Sequence, residues 1–440
     1  MKQKIVVASV SMLALACCPA FAGTYHAKHA QSTQQMTASH IDYKGMMPPV
    51  VVCPITDPYT MTLEAMDQNI GRAVPTEDCT KLIAFAGGAN FDAKWGNRSM
   101  GYTGENTQRL ALNDAYLNVF GNINDWSKAF VSLSYNDATP YGSGRMGGGY
   151  SSATPSSLAS TSVSFEQGFI RLANFQNTPF FAQLGKQFQP FGRYTIHPIT
   201  RSMTQVLSES LATSAEVGFV TGMGVHGAVF GYNNPVNQRN GVALTSTTRS
   251  TGGTVFGAEL GWDHFSDQLG YDLGVGYLSN MTGVNDVAAA INTFNGGSYR
   301  DTVGAATAYG DLNTGPFSIS LRYTSAVSKF NNNDLQTQTL AAAAAGTGKG
   351  AQPHAGDIQV GYGFNAWNKN QNLYAGYQAS SNAAAIFLPQ SRWLVGYGLE
   401  MWKSTLLGLE WDHDNSYSVS RGGSGDSSNV VSFRAGVKFG

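Results

Sequence analysis

The final stretch of the chain alternates without a break: Val431, Phe433, Ala435, Val437 and Phe439 interleave with Ser432, Arg434, Gly436 and Lys438. Period two sends one set to each face of an extended strand. An apolar face set against a polar one, at the terminus and beside an aromatic, is how a membrane β-barrel closes its sheet, with lipid outside and lumen inside. The pattern recurs upstream at Ala129, Val131, Leu133 and Tyr135, at Phe256, Ala258, Leu260 and Trp262, and at Tyr271, Leu273, Val275 and Tyr277. It returns at Phe317, Ile319, Leu321 and Tyr323, at Ile358, Val360, Tyr362 and Phe364, at Leu373, Ala375 and Tyr377, and at Trp393, Val395, Tyr397 and Leu399. Gly, Ser, Asp, Gln and Asn fill the alternate positions, which makes theirs the lumen face.

Composition points the same way. Only 12% of residues are charged, yet the mean hydropathy is -0.16, and no apolar run after the N-terminus approaches the ~20 residues of a membrane helix. The 51 glycines and 11% aromatics suit a barrel, with small polar residues inside and rings at the interfaces. A formal net charge of -1 implies no nucleic-acid partner.

Connections between strands fall into two alternating classes. Short turns lie near 121–125, 175–179, 265–270, 313–316, 368–371 and 403; long loops lie near 96–108, 138–162, 189–211, 233–253, 280–302, 328–354, 381–391 and 415–429. With both ends of the barrel periplasmic, counts from the two termini meet only if 212–232 is a hairpin turning at Gly222-Met223-Gly224. The expectation is an all-β transmembrane antiparallel barrel over 82–440 with sixteen strands; fourteen is the alternative.

Lys2 and Lys4, the apolar run Ile5 to Cys18, and Ala20-Phe21-Ala22 form a cleavable signal peptide over 1–22, placing the mature chain in the bacterial outer membrane. Acylation of Cys18 is the other reading of this end, disfavoured by the thiol of Cys17 at the position that needs a small residue. Residues 23–81 form a short periplasmic segment, either plug-like in the lumen or loosely tethered. Its Cys53 and Cys79 are the pair left after cleavage, and in an oxidising compartment a disulfide is expected. In the chain-entropy model its loop of about 25 residues is worth about 3 kcal/mol.

The loop over 189–211 combines apolar anchors with ionisable groups. Phe188, Phe191, Tyr194, Ile196, Ile199, Val206 and Leu207 can pack it on the inner wall, leaving Arg193, Tyr194, His197, Arg201 and Glu209 at a pore constriction. Arginine grips carboxylates with two parallel hydrogen bonds, and a low-dielectric throat strengthens the attraction. The competing reading is that Arg193 and Arg201 pair with acids to hold the loop. Phase assigns Arg322, Arg434 and Lys438 to the lumen, opposed by Asp357, Glu259, Asp263, Glu400 and Glu410, either as bracing pairs or as a charge ladder for permeation.

The strand Leu184-Gly185-Lys186-Gln187-Phe188 running into Pro190-Phe191-Gly192 resembles porins broadly. The run from Gly185 to Gly218 resembles the LbtU-type siderophore porins, plug-less outer-membrane proteins linked to siderophore-iron uptake. That resemblance implies a ferric, carboxylate-rich siderophore as the solute. General or anion-preferring diffusion and a structural or adhesive barrel are the other readings. Lipid and, through the C-terminal strand, the outer-membrane assembly machinery are the expected partners; the final Gly440 departs from the usual terminal aromatic.

Catalytic and metal motifs do not assemble. Trp262-Asp263-His264 and Trp411-Asp412-His413 fall at opposite ends of the barrel, with both His rings turned outward. Gly346-Thr347-Gly348-Lys349-Gly350 lacks the spacing and the following Ser or Thr of a phosphate loop. No enzyme, metal or cofactor is expected. The cysteine reading is checked by mass spectrometry of the non-reduced mature protein: a Cys53–Cys79 bond and Gly23 as the first residue are expected, against two alkylatable thiols or an acylated cysteine.

Overall fold

The computed structural model describes residues 83–96, 107–135, 163–174, 177–193, 199–238, 251–265, 269–295, 298–337, 349–402 and 404–439. The expected signal peptide over 1–22, Cys53 and Cys79 with their expected disulfide, Tyr194 and His197 lie outside them.

Alternation forces strands, and lipid forces those strands to close. Seventeen strands among the described residues form one sheet: β1 (Ile83–Gly96), β2 (Thr107–Asn122), β3 (Ser127–Tyr135), β4 (Ser164–Ala173), β5 (Phe180–Phe188), β6 (Leu211–Val220), β7 (Val225–Gln238), β8 (Thr251–Phe265) and β9 (Leu269–Leu278). They continue with β10 (Ser298–Tyr299), β11 (Ala305–Thr314), β12 (Phe317–Ala326), β13 (His354–Ala366), β14 (Lys369–Ser381), β15 (Ser391–Trp402), β16 (Thr405–Asn415) and β17 (Ser427–Phe439). The two-residue β10 is a parallel strip on β7; the other sixteen form a closed antiparallel barrel. Closure is made by β1 and β17, paired from Gly87 with Phe439 to Gly96 with Val430. No backbone edge is then left facing hydrocarbon, where an unsatisfied peptide group costs several kcal/mol.

The outward side chains are the alternating apolar sets: Leu260 and Trp262 on β8, Leu273, Val275 and Tyr277 on β9, Leu321 and Tyr323 on β12, Val437 and Phe439 on β17, all exposed. The inward ones are buried and largely polar, among them Glu259, Arg322, Gln359, Gln378, Glu410 and Arg434.

The hairpin between β6 and β7 turns where the glycines place it. Gly224 adopts φ +84, and a Cβ there would collide with the Asp263 carbonyl oxygen, so only glycine fits. One boundary differs from the sequence reading. The loop expected over 233–253 is shorter, because β7 runs on to Gln238 through Pro235. A register shift between Asn233 and Asn237 takes up the missing proline N–H.

Two inward-folded loops carry helices that period-two reading does not foresee. Helix α1 (Met203–Val206) lies between β5 and β6, and α2 (Asn285–Asn295) between β9 and β10. Met203, Val206 and Leu207 join Met281, Val284, Val287, Ile291, Phe330, Leu335, Ile386 and Leu388 in one buried apolar cluster. These loops therefore bring a hydrophobic core inside a polar-walled cylinder.

Heat-modifiable gel migration and a β-dominated circular dichroism spectrum in micelles are expected. Gly224→Val should lower the temperature at which the folded band converts; an unchanged temperature would show that the turn tolerates a side chain.

Candidate functional site

The candidate site is the inward-folded loop between β5 and β6. Its inward course begins at Pro190-Phe191-Gly192. Gly192 takes φ +95, a left-handed conformation that strains other residues, and a Cβ there would press on Ser208. Phe191 is fully buried in the lumenal core. The chain then crosses the barrel, and α1 packs on β12, β13 and β14, opposite its own flanking strands.

The far wall holds the loop through backbone groups. Glu410 accepts from the Ile199 N–H at 2.7 Å, the Thr200 N–H at 2.8 Å and the Tyr374 hydroxyl at 2.9 Å. The Thr200 hydroxyl donates to Asp412 at 2.8 Å and the Thr204 hydroxyl to Asp357. Gln378 accepts from the Met203 N–H at 3.1 Å, while Ser202 caps α1 by accepting from the Gln205 N–H at 3.2 Å. Acceptors on the far wall thus meet the loop's donors, Glu410 and Gln378 its N–H groups, Asp412 and Asp357 its hydroxyls.

Its carbonyls meet arginines by a repeated device. Arg322 forks onto Asp311 with two 2.8 Å bonds and donates from Nε to the Arg193 carbonyl at 3.0 Å. Arg392 forks onto Asp414 at 2.6 and 2.8 Å and donates to the Arg201 carbonyl at 3.1 Å. Arg434 forks onto Asp92 at 2.7 and 2.8 Å and donates to the Ile199 carbonyl at 3.4 Å. In each case an Asp on a neighbouring strand fixes the guanidinium plane and a remaining N–H reaches the loop.

Arg193 and Arg201 are themselves engaged. Arg193 donates to Asp272 at 3.3 Å, stands 3.7 Å from Glu259 and lies over the Tyr309 ring, 5.0 Å from its centroid. Around the same Glu259, Tyr309 donates at 2.5 Å and His226 approaches to 3.6 Å. Arg201 bridges Glu209 at 3.1 Å and Asp286 at 3.0 Å, joining the constriction loop to α2. Asn285 strengthens the join, its N–H donating to the Glu209 carbonyl at 3.0 Å.

Of the residues singled out from sequence, Arg193, Arg201, Glu209, Arg322, Arg434, Asp357 and Glu410 come together around this loop. Their partners are not all those expected. Asp311 and Asp92, each on an adjacent strand, take the forks of Arg322 and Arg434, while Glu410 faces loop N–H groups. Asp263 meets His226 at 3.4 Å rather than an arginine. Glu400 sits apart, accepting from Asn370 at 2.9 Å, and Lys438 lies half-buried on β17. His264 is turned outward against Tyr271, whereas His413 is half-buried and within 3.0 Å of Asn429 Oδ1. Arg392, Asp311, Asp92 and His226 escaped the sequence reading, although inward parity on their strands marks each of them. Among the described residues no His, Cys, Asp and Glu group is arranged to hold a metal.

No protein-family model matches the chain. A UPF0422 protein of Coxiella burnetii is 26% identical over 349 residues, covering 78% of this chain and 66% of that protein. A UPF0422 protein of Legionella pneumophila strain Philadelphia 1 is 24% identical over 403 residues, covering 84% and 68%. The chain spans about two thirds of the length of these curated relatives. Among solved structures, OprB of Pseudomonas putida superposes with TM-score 0.54 at 10% identity, covering 81% of this chain and 94% of that one. An anion-selective porin from Comamonas acidovorans gives 0.51 at 11% identity, covering 81% and 99%. The fold is a porin's.

Replacing Glu410 by Gln removes the charge while keeping the shape. Charge-assisted bonds contribute about 1.5–3 kcal/mol each, so the loop's near end should loosen. Planar-bilayer recordings are expected to show a larger or noisier conductance from a barrel that still migrates as folded; wild-type traces would show that Glu410 does not hold the loop.

Proposed function

We propose that this chain is an outer-membrane porin-type channel for ferric siderophore, with the folded-in 189–211 loop as its constriction. The observation that carries the channel reading is the loop's attachment. Hydrogen bonds to β12 through β17, many of them charge-assisted, and ion pairs from Arg193 to β8 and β9 and from Arg201 to α2 keep it across the lumen, which sets a fixed narrow point. The apolar outer band and the signal peptide support a place in the outer membrane. The choice of solute rests on the resemblance of residues 185–218 to siderophore porins.

Within that reading, Arg193 and Arg201 brace the resting channel. Each faces two carboxylates, Asp272 with Glu259 and Glu209 with Asp286. A carboxylate-rich siderophore at this point competes with those acids for the same N–H groups. The specific alternative is general diffusion, in which the braced loop sets a size limit and nothing more.

Radiolabelled ferric-siderophore uptake by cells with and without this gene separates the two. Loss of saturable uptake on deletion, restored by the gene, is expected. Unchanged uptake, beside size-limited bilayer conductance for unrelated solutes, would leave the diffusion porin.

A further inference from the structure

On the lipid-facing wall of β5 to β8 the outward side chains form three rows, which register reads across the strands. Ala182, Val217, Val229 and Ala258 make the first, and Leu184, Ala215, Gly231 and Phe256 the second. In the third, Lys186 pairs with Thr213 and Asn233 with Thr254, while Thr213 and Asn233 stand together one step beyond the Ser214–Tyr232 pair. Parity turns these rows toward lipid. Leu184, Thr213, Val217, Val229, Asn233, Thr254 and Phe256 are exposed, whereas Ser214, Glu216, Phe230 and Tyr232 between them are buried. The second row is low, because Gly231 has no side chain and Ala215 only a methyl. The Phe256 ring leans over Gly231, where a Cβ would lie 3.2 Å from it. A groove of about 670 Å³ results, floored by Ala215 and Gly231, flanked by Val217, Val229 and Phe256, and ending at Thr213, Asn233 and Thr254. Sites for small molecules span about 300–1,000 Å³.

The third row marks the edge of the hydrocarbon. Thr254 lies eight residues from Trp262, which sits at the short-turn end of β8. At about 3.4 Å per residue and a tilt of about 40°, the row stands about 21 Å above that tryptophan, near the far edge of an apolar band about 25 Å tall. Lys186 is the row's cation. Its Nζ donates to the Phe165 carbonyl at 2.9 Å, which uses one of its three N–H groups. In the lumen Arg322, Arg392 and Arg434 each fork onto an Asp, but among the described residues no carboxylate pairs with Lys186. An ammonium at this depth reaches toward anionic headgroups.

We propose that this groove is a binding site for lipid A, the acylated and phosphorylated glucosamine lipid of the outer leaflet. One acyl chain lies over Ala215 and Gly231, between Val229 and Phe256. Ester and hydroxyl groups meet Thr213, Asn233 and Thr254, and a phosphate meets the Lys186 ammonium. An apolar floor below a polar, cationic row repeats the order of such a lipid from tail to headgroup. The row's place at the long-loop end puts it in the outer leaflet. A bound lipid then becomes part of the wall whose strands β5 and β6 carry the inward-folded loop, and it steadies the two points from which that loop leaves. The inference rests on the outer-membrane placement and on no choice of solute.

The test is native mass spectrometry of the full-length protein in detergent micelles, with bisphosphoryl lipid A, its dephosphorylated form and phosphatidylglycerol as probes. One lipid A per barrel is expected, retained in preference to either other lipid. Lys186→Gln should weaken its binding about tenfold, the effect of losing one charge-assisted bond, and Lys186→Arg should keep it. Gly231→Leu fills the groove and should abolish retention in a barrel whose folding is verified by heat modifiability. If that variant does not fold, the two Lys186 variants decide alone. Equal retention of phosphatidylglycerol or of the dephosphorylated lipid, wild-type binding by Lys186→Gln, or a second barrel held in place of lipid would overturn the proposal. Binding is read without solute, so a negative siderophore-uptake result leaves this inference standing. A folded, conducting barrel that retains no lipid A removes this inference alone.

Discussion

Every peptide group in the spanning region needs a partner within the sheet, because hydrocarbon offers none. The pairing of β1 with β17 meets that demand at the last seam. Once the sheet is closed, strand parity allows only two destinations for a side chain, lipid or lumen. The outward sets then have to be apolar. The inward sets become a dense polar surface whose charges must find partners across neighbouring strands or on whatever enters the barrel.

That second requirement organises the inward-folded loop between β5 and β6. Arg322, Arg392 and Arg434 each fork onto an Asp of an adjacent strand, and each still has an N–H to offer. The loop's carbonyls accept those, and Glu410 accepts the loop's N–H groups at the same end. A buried ion pair adds little stability beyond the desolvation it must offset, but it penalises misplacement severely. The forks therefore fix where the loop lies. The apolar side of α1 shares its buried cluster with Val284 just before α2 and Val287 in its first turn, and with Ile386 and Leu388 between β14 and β15. That cluster supplies the hydrophobic contribution that keeps the loop folded there.

Much of the architecture was legible because period two survives in the strands whatever their partners. The strand count, the Gly224 turn and the inward placement of Arg322, Arg434, Glu410 and Asp357 all follow from alternation. The end of β7 was not legible, since Pro235 reads as a breaker and only the bulge beside Asn233 shows how the pairing continues. Nor were α1 and α2, a short turn of helix and a helix inside loops, which form on surfaces contributed by distant strands.

The sequence by itself therefore determined the barrel and its two faces, because alternation is a local property of neighbouring residues. It also marked the loop after Phe188 as unusual, through aromatic anchors beside arginines. Only the tertiary structure decided who pairs with whom. Arg434 meets Asp92 because the first and last strands adjoin at closure, and Arg201 meets Asp286 because two loops fold into one lumen. Those contacts join residues far apart in the chain, so no local pattern could encode them.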